Sequence, residues 1–188
     1  MVKLWTYRRA IGYLNSFLDY ERIPEPRVKT TEEDLARFCS LLSSLGDPHK
    51  SYPVIHIVGT KGKGSTAALL ASILRHSGYR VGLYTSPHLI SVRERIVVDG
   101  KPITKGEMAE ILMILRDIFT PFKPYSLSFR TVFEHLTAGA LLYFARKGVD
   151  IAVIEAGMGA RLDATNVVDP LLVIITPIGL DHTLVLGS

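Results

Sequence analysis

One cysteine, Cys39, and one tryptophan, Trp5, occur among the 188 residues. A single thiol excludes an intrachain disulfide and any cysteine-cluster metal centre. Its neighbours Phe38, Leu41 and Leu42 suggest a small core residue rather than a nucleophile. No apolar run approaches the ~18 residues that span a bilayer. Arg8 and Arg9 fall where a secretion signal would need its apolar stretch. The sequence therefore reads as cytoplasmic, with no membrane partner. Its basic residues are scattered and never alternate with aromatics in a run, which argues against a nucleic-acid surface. The net charge of +4 and pI of about 9.2 suit a small anionic ligand just as well. No internal repeat or low-complexity tract is present. What remains is a chain with 47% hydrophobic residues, long enough for one sizeable core.

The most informative stretch is Pro53 to Gly78. Val54 to Val58 is a β-branched apolar run and predicts a buried strand. Gly59-Thr60-Lys61-Gly62-Lys63-Gly64-Ser65 follows, and Ala67, Leu70, Ala71 and Leu74 then recur at helical spacing. A strand, a glycine-rich loop and a helix N-terminus form a phosphate cradle. Glycines let backbone N–H groups converge on an anion, and the helix end adds donors and partial positive charge. Lys63 supplies a mobile cation, and Ser65 or Thr66 a hydroxyl. The spacing departs from the strict P-loop, which would place glycine at Ile57 and a hydroxyl residue at Gly64. The competing reading is an ordinary βα turn rich in glycine.

Elsewhere the order is regular. Residues 4–20 show an amphipathic helical pattern, and 21–30 read as a loop. Thr30 with Glu33 suggests a capping box for a helix that Gly46 ends. Arg80 to Tyr84 reads as a second strand, with Ser86 at its mouth because Pro87 cannot extend a ladder. Ile96 to Val98 and the Asp99-Gly100 turn suggest a small hairpin. Thr104 with Glu107, and Thr131 with Glu134, cap two further helices. Val149 to Ile154 is a third strand ending in Glu155, and Leu171 to Ile175 a fourth, followed by Asp181-His182. Alternating strands and helices predict an α/β fold, a mainly parallel sheet with helices on both faces.

Ligands of such sheets lie outside the carboxyl ends of the strands. Here those ends carry the cradle, Ser86, Glu155 and His182. Glu155 resembles the acidic residue that holds magnesium opposite a P-loop, and a hydroxyl with a carboxylate suits that hard cation. His182 is open between a metal ligand, a hydrogen-bond partner and a structural histidine. His88 reads as structural. Arg161 and Asp163 could bind a ligand or pair with each other. Phe133 is either a core aromatic or a stacking surface.

Four motifs carry a resemblance: Gly59 to Ser65, Thr85-Ser86-Pro87-His88-Leu89, Glu155 to Asn166, and Gly179-Leu180-Asp181-His182-Thr183. In that order they resemble folylpolyglutamate synthase, often bifunctional with dihydrofolate synthase, of the Mur ligase superfamily. The resemblance implies a P-loop NTPase-like central domain and an ATP-dependent amide ligase. Such a ligase adds L-glutamate to folate, or to dihydropteroate, through an acyl phosphate. It places Gly59, Thr60, Gly62, Lys63, Gly64, Ser65 and Thr66 on ATP, and Ser86, Glu155 and His182 on Mg2+. Lys63, Glu155 and His182 would be catalytic, and Thr131, Phe133, Leu162, Asp163 and Ala164 would bind the pterin-bearing substrate.

Lys61 and Ala160 depart from the family, which usually has Asn and Gly there. Members also continue well past the His182 motif into the rest of the ATPase domain and a separate C-terminal domain. The expected organisation is therefore N-terminal helices over 1–52 and an incomplete ATPase domain over 53–188. By itself the chain is expected to be an inactive fragment of an enzyme that is monomeric at full length. Two other functions compete: a Mur-type ligase acting on a cell-wall precursor, and a non-catalytic ATP-binding module.

Overall fold

The computed structural model describes residues 4–17, 19, 30–119, 131–181 and 183. Strands β1 (Val54–Val58), β2 (Val81–Tyr84), β3 (Ile96–Val98), β4 (Lys101–Pro102), β5 (Ile151–Glu155) and β6 (Leu172–Ile175) form one sheet, ordered β4-β3-β2-β5-β1-β6. β2, β5, β1 and β6 run parallel, and β3 and β4 add an antiparallel hairpin at one edge. β5, late in the chain, is inserted between β1 and β2, while β6 lies on the other flank of β1. The chain thus changes direction across the sheet beside β1, which is where open α/β sheets place ligands.

Alternation along β1 assigns the two faces. Ile55 and Ile57 pack with Val81, Ile151 and Val153 against Ala67 and Ala71 of α3 (Lys63–His76). Val54, Tyr84, Ala152 and Ile154 face the larger core, built with α1 (Tyr7–Leu14), α2 (Glu32–Ser44), α4 (Lys105–Phe119) and α5 (Val132–Lys147). Successive strand side chains point to opposite faces, so one apolar run feeds both layers. Ala10, Leu14, Phe38, Leu41 and Leu42 of the N-terminal helices belong to that larger core. Gly82 of β2 admits the Phe144 ring of α5, since a Cβ there would lie 2.9 Å from it. β6 differs from the interior strands. Among the described residues it pairs on one side only, and Leu172, Val173 and Ile175 are exposed.

Local details differ from the sequence expectations, most clearly in the two N-terminal helices. α1 covers only Tyr7–Leu14 of the 4–20 pattern, with Thr6 as its N-cap, and residues 18 and 20 lie outside the described set. The capping box of α2 is Thr31 with Asp34, one residue beyond the Thr30–Glu33 pair. Both pairs satisfy the i, i+3 rule, and the helix starts where the packing of Phe38, Leu41 and Leu42 sets its phase. Cys39 is exposed rather than in the core. It follows Phe38 directly, and one residue along a helix is a rotation of about 100° away from the buried stripe. The boxes of Thr104 with Glu107 and Thr131 with Glu134 form as the sequence indicates. Gly148 ends α5 in the left-handed conformation.

Candidate functional site

The parallel strands β2, β5, β1 and β6 all end at the same edge of the sheet, and their C-terminal ends deliver the candidate residues there. β1 runs into the cradle, where Gly59 has φ +129 and Gly62 has φ +84. A Cβ at Gly59 would lie 2.7 Å from the Thr176 carbonyl oxygen, so only glycine lets the loop pass β6 this closely. Gly62 is the N-cap of α3, and Thr66 N–H is bonded back to its carbonyl at 2.9 Å. The N–H groups of the first turn, at Lys63, Gly64 and Ser65, lie ahead of that first helical bond, as at any helix N-terminus. Lys63 Nζ donates to Thr60 O at 3.3 Å, so the ammonium folds over the loop it follows.

Thr60 is engaged from another side. Its N–H donates to Pro177 O at 3.1 Å, and Lys61 N–H reaches the same carbonyl at 3.3 Å. Its hydroxyl donates to Gly179 O and accepts from Gly179 N–H, both at 3.1 Å. Thr60 therefore ties the cradle to the segment after β6, a role that its place in a glycine-rich loop did not suggest.

Glu155 closes the site from β5. It is buried, and its Oε2 accepts the Ser86 N–H at 3.0 Å. A Cβ on Gly64 would lie 3.3 Å from Oε2 and 3.5 Å from Oε1, so the carboxylate sits directly against the cradle. Burial pushes the Glu155 carboxyl up; the Ser86 N–H and the charges of Lys63 and Arg95 pull it back towards ionisation. Arg95 is itself buried, and its Nε donates to His88 Nδ1 at 2.9 Å. His88 thus receives a buried cation behind the Ser86-Pro87 turn. Arg95 was not legible as part of the site, because in sequence it is one arginine of the exposed-looking run Val92-Arg93-Glu94-Arg95.

Of the candidates for the acceptor side, Phe133 and Asp163 are brought together across Gly157. The Phe133 ring lies against Gly157, where a Cβ would be 2.6 Å from Cζ and 3.0 Å from Asp163 Oδ2. Thr131 is the N-cap of α5 and is engaged with Glu134. Asp163 is buried, flanked by Leu162 and Ala164, and does not pair with Arg161, which faces Glu32 at 3.6 Å on the surface. Asp163 Oδ1 accepts the Thr165 N–H at 2.9 Å and hydroxyl at 2.6 Å, and Oδ2 accepts the Met158 N–H at 2.9 Å. Burial pushes its carboxyl up, and these donors oppose that. Ala160 has φ 52, the left-handed region in which the glycine usual to the resemblance would sit without strain. His182 lies outside the described residues.

Magnesium can be tested against this geometry. The ion commonly keeps several waters and takes only one or two protein oxygens beside substrate phosphates. No group of three or more His, Cys, Asp or Glu side chains placed to hold a metal ion occurs among the described residues. The Glu155 carboxylate against the cradle and the hydroxyl residue Ser86, two residues past the neighbouring β2 and bonded to Glu155 through its N–H, still offer the smaller set. The donor set therefore fits the ion.

A glycine-rich loop after an interior strand of a mainly parallel sheet, faced by a buried carboxylate, is the arrangement of an α/β fold of the P-loop NTPase-like class. No family model matches the chain. A dihydrofolate synthase/folylpolyglutamate synthase of Bacillus subtilis is 43% identical over 155 residues, 82% of this chain and 36% of that protein. Among solved structures, the folylpolyglutamate synthase of Thermotoga maritima is 42% identical with a TM-score of 0.82, covering 95% of this chain and 39% of that one. A folylpolyglutamate synthase complex with AMPPCP and folate is 37% identical with a TM-score of 0.86, covering 98% of this chain and 43% of that one. The chain belongs to the folylpolyglutamate synthase/dihydrofolate synthase family and corresponds to its N-terminal part. It spans between 20% and 40% of the length of the curated relatives it matches.

Proposed function

We propose that the whole protein is an ATP-dependent ligase that joins L-glutamate to a folate, or to dihydropteroate, through an amide bond. The observation that carries this reading is the meeting of Glu155 with the cradle. One buried carboxylate touches the Gly64 position and holds the Ser86 N–H, so the groups proposed for the phosphates and for the metal share one edge. Support comes from the relatives, whose names specify this synthase activity, and from a relative's complex with an ATP analogue and folate.

In this reading Gly62, Lys63, Gly64, Ser65 and Thr66 hold the triphosphate of ATP, with the Lys63 ammonium on its outer oxygens. Gly59 lets the loop close and Thr60 anchors it to the segment after β6. Ser86, Glu155 and His182 would hold magnesium, which when bound would neutralise charge on the phosphates. Thr131, Phe133, Leu162, Asp163 and Ala164 form the side that receives the pterin. A carboxylate oxygen of the substrate attacks the γ-phosphorus, forming an acyl phosphate as the bond to ADP breaks. The glutamate amine then attacks the acyl carbon, the amide forms, phosphate leaves and the amine gives up a proton. Phosphoryl transfer of this kind needs positioning and charge neutralisation more than a protein nucleophile. None is proposed.

The test is incorporation of labelled glutamate by the whole protein, with folate, dihydropteroate and a cell-wall nucleotide precursor offered in parallel. Folate- or dihydropteroate-dependent incorporation that requires Mg2+ and falls by orders of magnitude in Glu155→Gln supports the reading. Incorporation into the cell-wall precursor alone would reject it in favour of a Mur-type ligase. ATP binding with no incorporation into any acceptor would leave a nucleotide-binding module.

A further inference from the structure

His56 lies in the middle of β1, buried, paired in register with Ile154 of β5 and Val173 of β6. In the sequence it interrupts an apolar run and has no stated purpose. In the fold its side chain turns to the face opposite α3, where its Nε2 lies 2.8 Å from Thr165 Oγ1. Thr165 is fully buried, and its single hydroxyl proton goes to Asp163 Oδ1 at 2.6 Å. A hydroxyl has one proton and two lone pairs. With the proton given to Asp163, the Thr165 oxygen accepts from His56, so Nε2 carries the hydrogen. Burial also pushes the His56 pKa down, which keeps the ring neutral with that one donor.

The result is a directed line, His56 to Thr165 to Asp163, across two elements that are 109 residues apart in sequence. Its far end holds the loop after β5, because Asp163 Oδ2 takes the Met158 N–H. Its near end is three residues before Gly59, on the strand that feeds the cradle. Resting on the function proposed above, we infer that His56 is a positioning residue for the acceptor side of the site. It fixes Asp163 and the Gly157–Asp163 loop relative to the cradle, so that an acceptor bound against Phe133 and Asp163 keeps its carboxylate in line with the γ-phosphate. Asp163 has no basic partner among the described residues, and its orientation rests on such neutral donors.

Two variants separate positioning from bulk packing. His56→Leu keeps apolar volume and removes the donor, whereas His56→Gln keeps an amide N–H at about the reach of Nε2. Amide hydrogen exchange reads the network directly, without activity. In His56→Leu the Met158 and Thr165 amides should exchange about 3- to 10-fold faster, the range of one net hydrogen bond. In His56→Gln they should return towards wild type, with the amides of β1 unchanged in both. Steady-state kinetics of the whole protein read the consequence. The acceptor KM should rise by about the same factor in His56→Leu, with the ATP KM within twofold and rescue by His56→Gln. Unchanged exchange at Met158 and Thr165 would overturn the network. Faster exchange with an unchanged acceptor KM, or with equal rises for ATP and acceptor, would overturn the positioning role. A wild-type protein inactive on every folate acceptor would instead sink the proposed function, with the network judged on exchange alone.

Discussion

Three glycines of one loop carry three different structural demands, and replacing each by alanine separates them. At Gly59 the backbone has φ +129, and a Cβ would overlap Thr176 Oγ1 and lie 2.7 Å from the Thr176 carbonyl oxygen. Thr176 cannot retreat easily, since its N–H and hydroxyl both hold Val58 O, at 2.8 and 3.1 Å. Backbone strain of about 1–3 kcal/mol adds to overpacking of about 1–3 kcal/mol. Gly59→Ala should therefore lose roughly 2–6 kcal/mol, or about 4–24 °C of Tm at ~2–4 °C per kcal/mol for a chain of this size. At Gly62 φ is +84 and nothing lies within 4 Å of the added methyl. Gly62→Ala carries only the strain, about 1–2 kcal/mol and a few degrees. Gly64 lies in the first turn of α3 with ordinary φ, where alanine is the better helix former by up to about 1 kcal/mol. Its methyl would sit 3.3 Å from Glu155 Oε2, so Gly64→Ala should melt no lower than wild type yet bind the Mg2+ complex of an ATP analogue more weakly. Melting by circular dichroism and calorimetric titration check the set. A Gly59→Ala Tm within 2 °C of wild type, or below it by less than that of Gly62→Ala, would refute the packing argument.

Lys63→Ala should weaken ATP-analogue binding about 10- to 100-fold, the ~1.5–3 kcal/mol of a hydrogen bond to a charged group; unchanged affinity in titration calorimetry would remove Lys63 from the phosphates. His135 is fully buried and its pKa is pushed down to about 4, chiefly by burial, with its bond to Thr131 opposing. The unfolded chain binds that proton near pH 6.5, so the stabilisation is complete above that pH and is lost as pH falls towards 4, up to about 3 kcal/mol. Urea midpoints should fall between pH 7.5 and pH 4.5 in wild type and fall less in His135→Gln; parallel curves would deny His135 the effect. The exposed strand β6 should make the chain self-associate at high concentration, because an edge that is unpaired among the described residues and carries apolar side chains templates pairing. Val173→Lys should lower the apparent mass seen by sedimentation velocity, and an unchanged profile would place the contact elsewhere.

The cradle, the strand ends and most helix caps were legible because each is a local signal. β-branched runs, a glycine loop and i, i+3 capping pairs act within a few residues, and β1, β5 and the hairpin β3–β4 form as those signals indicate. The placement of Ser86 and Glu155 was legible for the same reason: an apolar run that ends in a polar residue puts it at a sheet edge. The local rule fails where two local answers are equally good, as between the Thr30–Glu33 and Thr31–Asp34 boxes, or where helix phase decides, as at Cys39. No sequence signal could have chosen between these, since the packing of α2 on the common core sets its start and rotation.

The cradle, the carboxylate and the hydroxyl were determined by the sequence itself, through residue types at short spacing. The tertiary structure decided what they face. By placing β5 between β1 and β2, it set Glu155 against both Gly64 and the Ser86 N–H. It also turned His56 towards Thr165, tied Thr60 to Gly179, and put Arg95 behind His88. Those contacts join residues far apart in the chain. They follow from strand order and from which face each side chain takes, quantities that no short window of sequence contains.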